Sequence, residues 1–498
     1  MIWVLFAVSL IATVPAGLRW LRVAQREHYL APSVTTFALR WWGRGFANRA
    51  LAAVALAGVI GSAWNPWLGL LVPLAQVGPI GLGLKGRTSA MVWTGRLRRV
   101  AALSGVFALM IYLVAVFLES ALLMTVGLFS LPTLVDLSLV VMAPIEKRMG
   151  RRWVDQAAAR LKSSGAKVVA ITGSYGKTTT KQYAAHLLSG SLRTVASPAS
   201  FNNRMGLARA INEGLIPGTE VFVAEMGTYG PGEIAELTQW IPPTVSAIVA
   251  IGPVHLERFK TEERIVTSKA EILDGAETAV ISIDHPLLAE LAAKTEGGKE
   301  LITVSGVGGS EARVVVGGSR LWVDGVDVAS VPDQIFAVNL AAAIGIGMAL
   351  GVELSALLDR IGGLPRPEHR QTVSRSDRGF SIIDDTFNSN PAGARAGLEA
   401  LVEIAAGGRK TLVTPGMVEL GPRQYEENRV FAAEASTVVD DLVIVGNTNR
   451  RSLREGAGMG AASVTVVASR EAAVEWVRQN LGPGDAVLYE NDLPDHYP

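Results

Sequence analysis

Residues 168–183, "VVAITGSYGKTTTKQY", decide how the second part of this chain folds. An apolar run enters a glycine-bearing turn and leaves it as a polar helical stretch. The turn, Thr172-Gly173-Ser174-Tyr175-Gly176-Lys177-Thr178-Thr179, lets backbone N–H groups approach phosphate oxygens, because glycine has no Cβ to hold them off. The N-terminus of the following helix adds positive potential. Lys177 suits the terminal phosphates of a nucleotide, and the Thr178 hydroxyl suits Mg²⁺ beside them. The general pattern also asks for glycine at 171, where Ile171 stands. ATP and Mg²⁺ are the expected cofactors.

Outward from this loop the pattern repeats. Residues 153–165, "WVDQAAARLKSSG", read as a short amphipathic helix closed by Gly165. Strands expected at 167–172, 221–224, 247–251 and 278–283 alternate with helical stretches, which argues for a mostly parallel sheet covered on both faces. A second run, with strands expected at 380–384, 410–414, 441–445, 463–468 and 485–489, reads as a smaller Rossmann-like α/β domain. The expected division is 1–150, 151–362 and 363–498, an α-helical membrane domain followed by two α/β domains.

The composition sets the first part apart. The chain of 498 residues is 49% hydrophobic, with mean hydropathy +0.31. Its 46 basic and 45 acidic residues give no nucleic-acid-binding surface. It has no cysteine, which excludes disulfides and thiolate chemistry. Apolar stretches at 1–18, 48–84, 100–117 and 121–143 read as about five spans of a bilayer. Arg19, Arg22, Arg26, Arg40, Arg44 and Arg49 lie between the first two spans, Lys85, Arg87, Arg96, Arg98 and Arg99 between the third and fourth, and Lys147, Arg148, Arg151 and Arg152 after the fifth. All three basic loops face the cytoplasm if the N-terminus is outside. The basic residues follow the first apolar run instead of preceding it, which argues against a cleaved signal peptide. Asp136 lies within the last span, and is expected to cap a neighbouring helix.

Further segments follow the loop in a fixed order: "SFNNRMGL" (200–207), "VAEMGTYGPGEI" (223–234), "AIGPVHLERF" (250–259), "SKAEIL" (268–273), "VNLAAAIGIGMALG" (338–351), "PEHRQTV" (367–373), "IIDDTFNSNPAG" (382–393) and "PGMVELG" (415–421). Together with "TGSYGKTTT" they resemble the blocks of the Mur ligases over about residues 166–490, most closely the branch that adds D-alanyl-D-alanine. The resemblance implies an ATP-dependent carboxylate–amine ligase working through an acyl phosphate. It implies that Glu225 and His255 hold magnesium with Thr178, and that Lys269 is a lysine carbamylated by CO₂. It implies Asn339 near the adenine, Arg370 on the phosphates, Asp385 at the nucleotide from the last domain, and Asn203 beside the acceptor channel.

Four departures qualify the likeness. Ser282-Ile283-Asp284-His285 stands where the family has Asn-x-Asp-Asp, and Ile335 where a histidine is expected. "YENDLPDHYP" (489–498) replaces the branch's Lys-Gly-Ser-Arg, and a membrane domain replaces the domain that binds a uridine-diphosphate sugar. The expected partners are therefore the bilayer, a lipid-linked carboxylate donor, and an amino acid or short peptide. A poly-γ-glutamate-synthase-like ligase and an ATP-driven transporter or flippase remain alternatives.

Overall fold

The structure, a computed structural model, describes residues 1–498 except 85, 87–89, 296, 333–334, 366–371, 387–388, 406, 494–495 and 498. Lys85, Arg87 and Arg370 thus lie outside the described residues. The chain forms two compact units, Met1–Met149 with Leu493–Pro498, and Gly150–Asp492.

In the first unit, helices Ile2–Arg26 and Gly95–Phe117 are long and apolar enough to cross a membrane. Ala121–Phe129 and Leu131–Ser164, bent by 67°, supply a third span if the pair counts as one. The expectation of about five spans is corrected to two or three by helix length. Gly45–Gly61 has 17 residues, about 25 Å of helix against a hydrocarbon core of about 30 Å. Its return arm, Pro66–Leu70 continuing as Leu71–Ala75, is shorter still. The two arms lie against each other at Gly58, where a Cβ would come within 2.9 Å of the Leu71 Cβ.

After this hairpin the backbone leaves helical form, and its polar groups need other partners. Arg19 supplies three, donating to the carbonyls of Gln76 (2.9 Å), Val77 (2.9 Å) and Gly78 (3.0 Å). Arg22 donates to the Gly83 carbonyl. Asn48 pairs with both backbone groups of Ile80, and Gln25 with both of Val92. Arg19 and Arg22, read in the sequence as orientation signals, thus also fasten the segment that follows the hairpin. Asp136 does cap a helix: its carboxylate accepts the N–H groups of Val34 (3.2 Å) and Thr35 (2.7 Å) at the start of Ser33–Trp42. The segment after the last strand also packs here. His496 Nε2 lies 2.9 Å from Glu27 Oε1, and the Trp41 indole N–H donates to the His496 carbonyl at 2.8 Å.

The second unit holds two sheets. In the first, β1 (Lys167–Thr172), β2 (Thr194–Ala196), β3 (Val221–Glu225), β4 (Val245–Ile248), β5 (Thr278–Ser282), β6 (Glu300–Ser305), β7 (Val314–Gly317), β8 (Arg320–Val323) and β9 (Val326–Ser330) run in the order β2-β3-β1-β4-β5-β6-β7-β8-β9. Pairing is parallel through β7 and antiparallel for β8 and β9. Alternate residues of β1 enter two cores. Val169 and Ile171 pack with Leu187 of helix Lys177–Leu188 and Leu340 of helix Ala337–Ala349. Val168 and Ala170 pack with Ile211 and Ile234 on the other face.

The second sheet comprises β10 (Thr372–Arg375), β11 (Ser381–Asp385), β12 (Lys410–Thr414), β13 (Asp441–Val445), β14 (Ser463–Val467) and β15 (Ala486–Glu490), ordered β10-β11-β15-β12-β13-β14. Only β10 is antiparallel to its neighbour. The expected α/β architecture with a mostly parallel first sheet and a second smaller sheet is present.

The end of Ile2–Arg26 meets the start of Gly95–Phe117, through Gln25 on Val92 and Tyr29 on Thr94 (3.2 Å), so the two helices are antiparallel. Ala31 and Glu119, both exposed, then fall at opposite ends. In intact cells a cysteine at Glu119 should react with a membrane-impermeant maleimide, and one at Ala31 only after permeabilisation. Equal labelling of both positions before permeabilisation would show that Gly95–Phe117 does not cross.

Candidate active site

β1 lies between β3 and β4 in the sheet, so the loops leaving the carboxyl ends of these three strands converge where a parallel sheet binds ligands. The first is the glycine loop. Gly176 takes the left-handed conformation at φ +80, and a Cβ there would meet the Asn339 amide nitrogen at 2.4 Å. Glycine is required on both counts. The Asn339 amide donates to the Gly176 carbonyl and to Thr180 Oγ1, each at 2.8 Å. Both donors of this side chain therefore secure the loop. Ser174 donates its hydroxyl to the Gly252 carbonyl (3.2 Å) and Tyr175 to the Ile251 carbonyl (3.0 Å), which ties the loop to the segment after β4. Thr179 is buried in the first turn of the helix.

Glu225 ends β3 almost wholly buried. Its Oε2 accepts the Thr178 hydroxyl at 3.0 Å and lies 2.9 Å from the Lys181 ammonium, itself buried. Its Oε1 accepts from the Asn202 amide at 3.3 Å. Burial alone would raise this carboxyl. The charges of Lys181 and Lys177, with hydrogen bonds from Lys181 and Thr178, outweigh it and hold the group below the ordinary glutamate range. Asn203 turns away and caps helix Arg204–Gly214, accepting the Gly206 N–H at 3.0 Å. The asparagine that faces Glu225 is thus Asn202. Sequence reasoning passed over both Asn202 and Lys181, though Lys181 stands one helical turn past Lys177.

Lys177 Nζ folds onto the Gly173 carbonyl at 2.8 Å, and Lys269, from helix Glu262–Ala270, donates to the same oxygen at 3.0 Å. Burial pushes Lys269 well below the ordinary lysine value, and the nearby Lys177 charge adds to the shift. His255 takes the left-handed region at φ +58, and its Nδ1 hydrogen-bonds Glu419 from the loop after β12. Among the described residues no group of three or more His, Asp or Glu side chains gathers as a metal cage. The Thr178–Glu225 pair nevertheless fits Mg²⁺, which takes hard oxygens and keeps water and phosphate in most of its shell.

Asp385 and Glu490 are register partners at the carboxyl ends of β11 and β15. Glu490 is fully buried and accepts hydroxyls from Thr414 (2.5 Å) and Ser389, so it joins the loops after β11 and β12. Burial pushes its carboxyl up to about 8, with the Thr414 hydrogen bond opposing and the Asp385 charge adding. Asp284 accepts the Ser305 hydroxyl at 2.5 Å and the Gly306 N–H at 2.8 Å.

Residues 171–341 match the Mur ligase middle domain, and residues 369–489 the Mur ligase glutamate ligase domain. The UDP-N-acetylmuramoyl-tripeptide–D-alanyl-D-alanine ligase of Mycobacterium leprae is 30% identical over 383 residues, covering 66% of this chain and 72% of that protein. The fold is shared with MurF from Acinetobacter baumannii (TM-score 0.60, 23% identity, 68% of this chain and 77% of that one). It is also shared with MurF ligase from Thermotoga maritima in complex with ADP (TM-score 0.57, 25% identity, 69% and 80%).

Glu490 gives a pH signature. Its carboxyl is raised from 4.5 to about 8 in the folded chain, so its proton favours the folded state. That contribution is complete below about pH 4.5 and fades as pH rises through about 8. Hydrogen-exchange protection of the β12 and β15 amides should fall between pH 6 and 9 by on the order of a few kcal/mol, and Glu490→Gln should flatten the decline. An identical slope in both proteins would place the titration elsewhere.

Proposed function

We propose that this chain, which belongs to the Mur ligase family, is a membrane-anchored ATP-dependent ligase that joins a carboxylate to an amine in cell-envelope synthesis. The observation that carries the reading is the phosphate loop, with Lys177 folded over it and Thr178 set on the buried Glu225 carboxylate. In the reaction the carboxylate oxygen attacks the terminal phosphorus of ATP, giving an acyl phosphate and ADP. The amine then attacks the acyl carbon, and phosphate leaves as the amide forms. Lys177 and the N-terminus of helix Lys177–Leu188 neutralise phosphate charge, which is most of what such a transfer needs. Mg²⁺, held by Thr178, Glu225 and His255, supplies further charge neutralisation when bound. Asn339, through its hold on Gly176, keeps the loop in shape for the phosphates. Arg370 and Asp385 act from the smaller domain, and Asn203 takes its part at the acceptor side.

Lys269 takes part as a carbamate. Its low proton affinity leaves the nitrogen lone pair available to attack the carbon of CO₂. The N–C bond forms as one C–O π pair of CO₂ moves onto oxygen, the nitrogen releases a proton to solvent, and a neutral amine becomes an anion beside Lys177. Lys269→Ala should therefore be nearly inactive in ADP release, and formate or acetate should partly restore it by filling the carbamate's place. Full activity in the alanine variant without added acid would remove Lys269 from the mechanism.

The donor is a lipid-linked carboxylate modified on the cytoplasmic face, and the acceptor an amino acid or short peptide. Support comes from the first unit, whose helices take the chain position of a sugar-nucleotide domain. Exposed Trp3, Ile11, Phe46, Trp64 and Phe117 give it the apolar exterior of a lipid-facing body. Asp136 and Arg19 are committed to capping and to the post-hairpin backbone, so headgroup contacts fall to other residues. Replacing residues 1–144 by one unrelated transmembrane helix tests this. The chimera should keep ATP binding and lose at least tenfold in amide formation on membrane lipid extract. Full amide formation would mean that the first unit only tethers.

A further inference from the structure

The loop after β12 and the short helix Leu256–Phe259 face each other, and both hold strained backbone at the contact. His255 sits at φ +58 and Glu419 at φ +64, a conformation L side chains rarely adopt. Such positions persist only where the surroundings over-determine them, and they cluster at working sites. Here the surroundings are built from both sides. The Glu257 N–H donates to the Glu419 carbonyl at 3.2 Å, and Arg423 donates to Glu262 at 2.7 Å. Behind the loop, the buried Asn428 bonds both backbone groups of Met417, and Asn449 donates to the carbonyls of Pro415 and Met417, each at 3.0 Å. The Glu419 carboxylate is thus presented on a fixed loop of the smaller domain.

We propose that Glu419 is a positioning residue of the ATP site, delivered by the smaller domain to hold His255 in the tautomer and orientation that serve a metal. A carboxylate only accepts, so Nδ1 carries the proton in their hydrogen bond. In the neutral ring Nε2 then keeps its lone pair, the form that ligates. A carboxylate behind a ligating histidine fixes the ring and raises its basicity. The site is complete only while the loop after β12 is clasped to helix Leu256–Phe259. The inference rests on the assignment of His255 to the metal.

Mn²⁺ in place of Mg²⁺, titrated against the full chain with ADP and followed by electron paramagnetic resonance, reads this without turnover. Glu419→Ala should weaken Mn²⁺ binding by about 10- to 100-fold. Glu419→Gln should keep most of the affinity, since its amide oxygen accepts the same N–H. Glu419→Asp, one methylene short, carries the test at about tenfold if the alanine variant fails to fold. The double variant with His255→Ala should bind no more weakly than His255→Ala alone, because Glu419 acts through that ring. Arg423→Ala loosens the clasp without touching His255, so its loss of Mn²⁺ affinity should be smaller than that of Glu419→Ala. Affinity within twofold of the unaltered chain for Glu419→Ala would overturn the inference. So would an Arg423→Ala loss as large as that of Glu419→Ala, or additive losses in the double variant. No bound Mn²⁺ in the unaltered chain would overturn the functional reading as well, which separates the two failures.

Discussion

A carboxylate withdrawn from water, as Glu225 is at the end of β3, persists only when cations and donors surround it. Lys181, Thr178 and Asn202 do so here, and each belongs to a different piece of local structure. Lys181 sits one turn into the helix that the glycine loop opens, Thr178 in the first turn, and Asn202 just before the next helix. Their convergence fixes the helix after β1 against β3. It also leaves the Thr178 hydroxyl and the Glu225 carboxylate side by side. Removing the Lys181 ammonium would leave an uncompensated buried charge. Lys181 therefore belongs to folding and to electrostatics at once.

The same crowding accounts for Lys269. Two lysines donate to the Gly173 carbonyl, and a third lies on the Glu225 carboxylate. Another full positive charge would be repelled, and burial penalises it further. Burial first, and then the Lys177 charge, lower the proton affinity of Lys269. Anionic phosphates on the loop side would ease the repulsion, and a carbamate at Lys269, as proposed, would ease it on the other.

Much of this was legible in the sequence. The spacing from Gly173 to Thr178 gives the loop, and the expected strands of both sheets lie within a few residues of those observed, because each is an apolar run bounded by turn residues. β2 and β6 to β10 were missed. They are short, or at the margins of their sheets, or carry few residues of the buried pattern that marks a central strand. The membrane spans were overcounted because the two arms on either side of Asn65 and Pro66 were each taken as a span, although their helices, Gly45–Gly61 and Pro66–Leu70 with Leu71–Ala75, are too short to cross. Within the site, sequence could nominate residue types but not partners. Asn202 and Asn203 are indistinguishable as letters, yet one faces Glu225 and the other caps a helix. Glu419 and Glu490 gave no signal, because their roles arise from strands and loops brought together by folding.

Glu490 carries that last point furthest. Strand order β11-β15-β12 puts it between the loops that hold Ser389 and Thr414, and both hydroxyls turn to it. Below about pH 8 it is a neutral acid tying two loops together. The stretch from Tyr489 onward contains neither lysine nor arginine. Arg470, which reaches this stretch, is engaged by Asp492 at 2.6 Å. A carboxylate brought beside Asp492 would meet an arginine already engaged. One buried acid thus holds both loops at the carboxyl edge of this sheet, so their joining depends on its protonation.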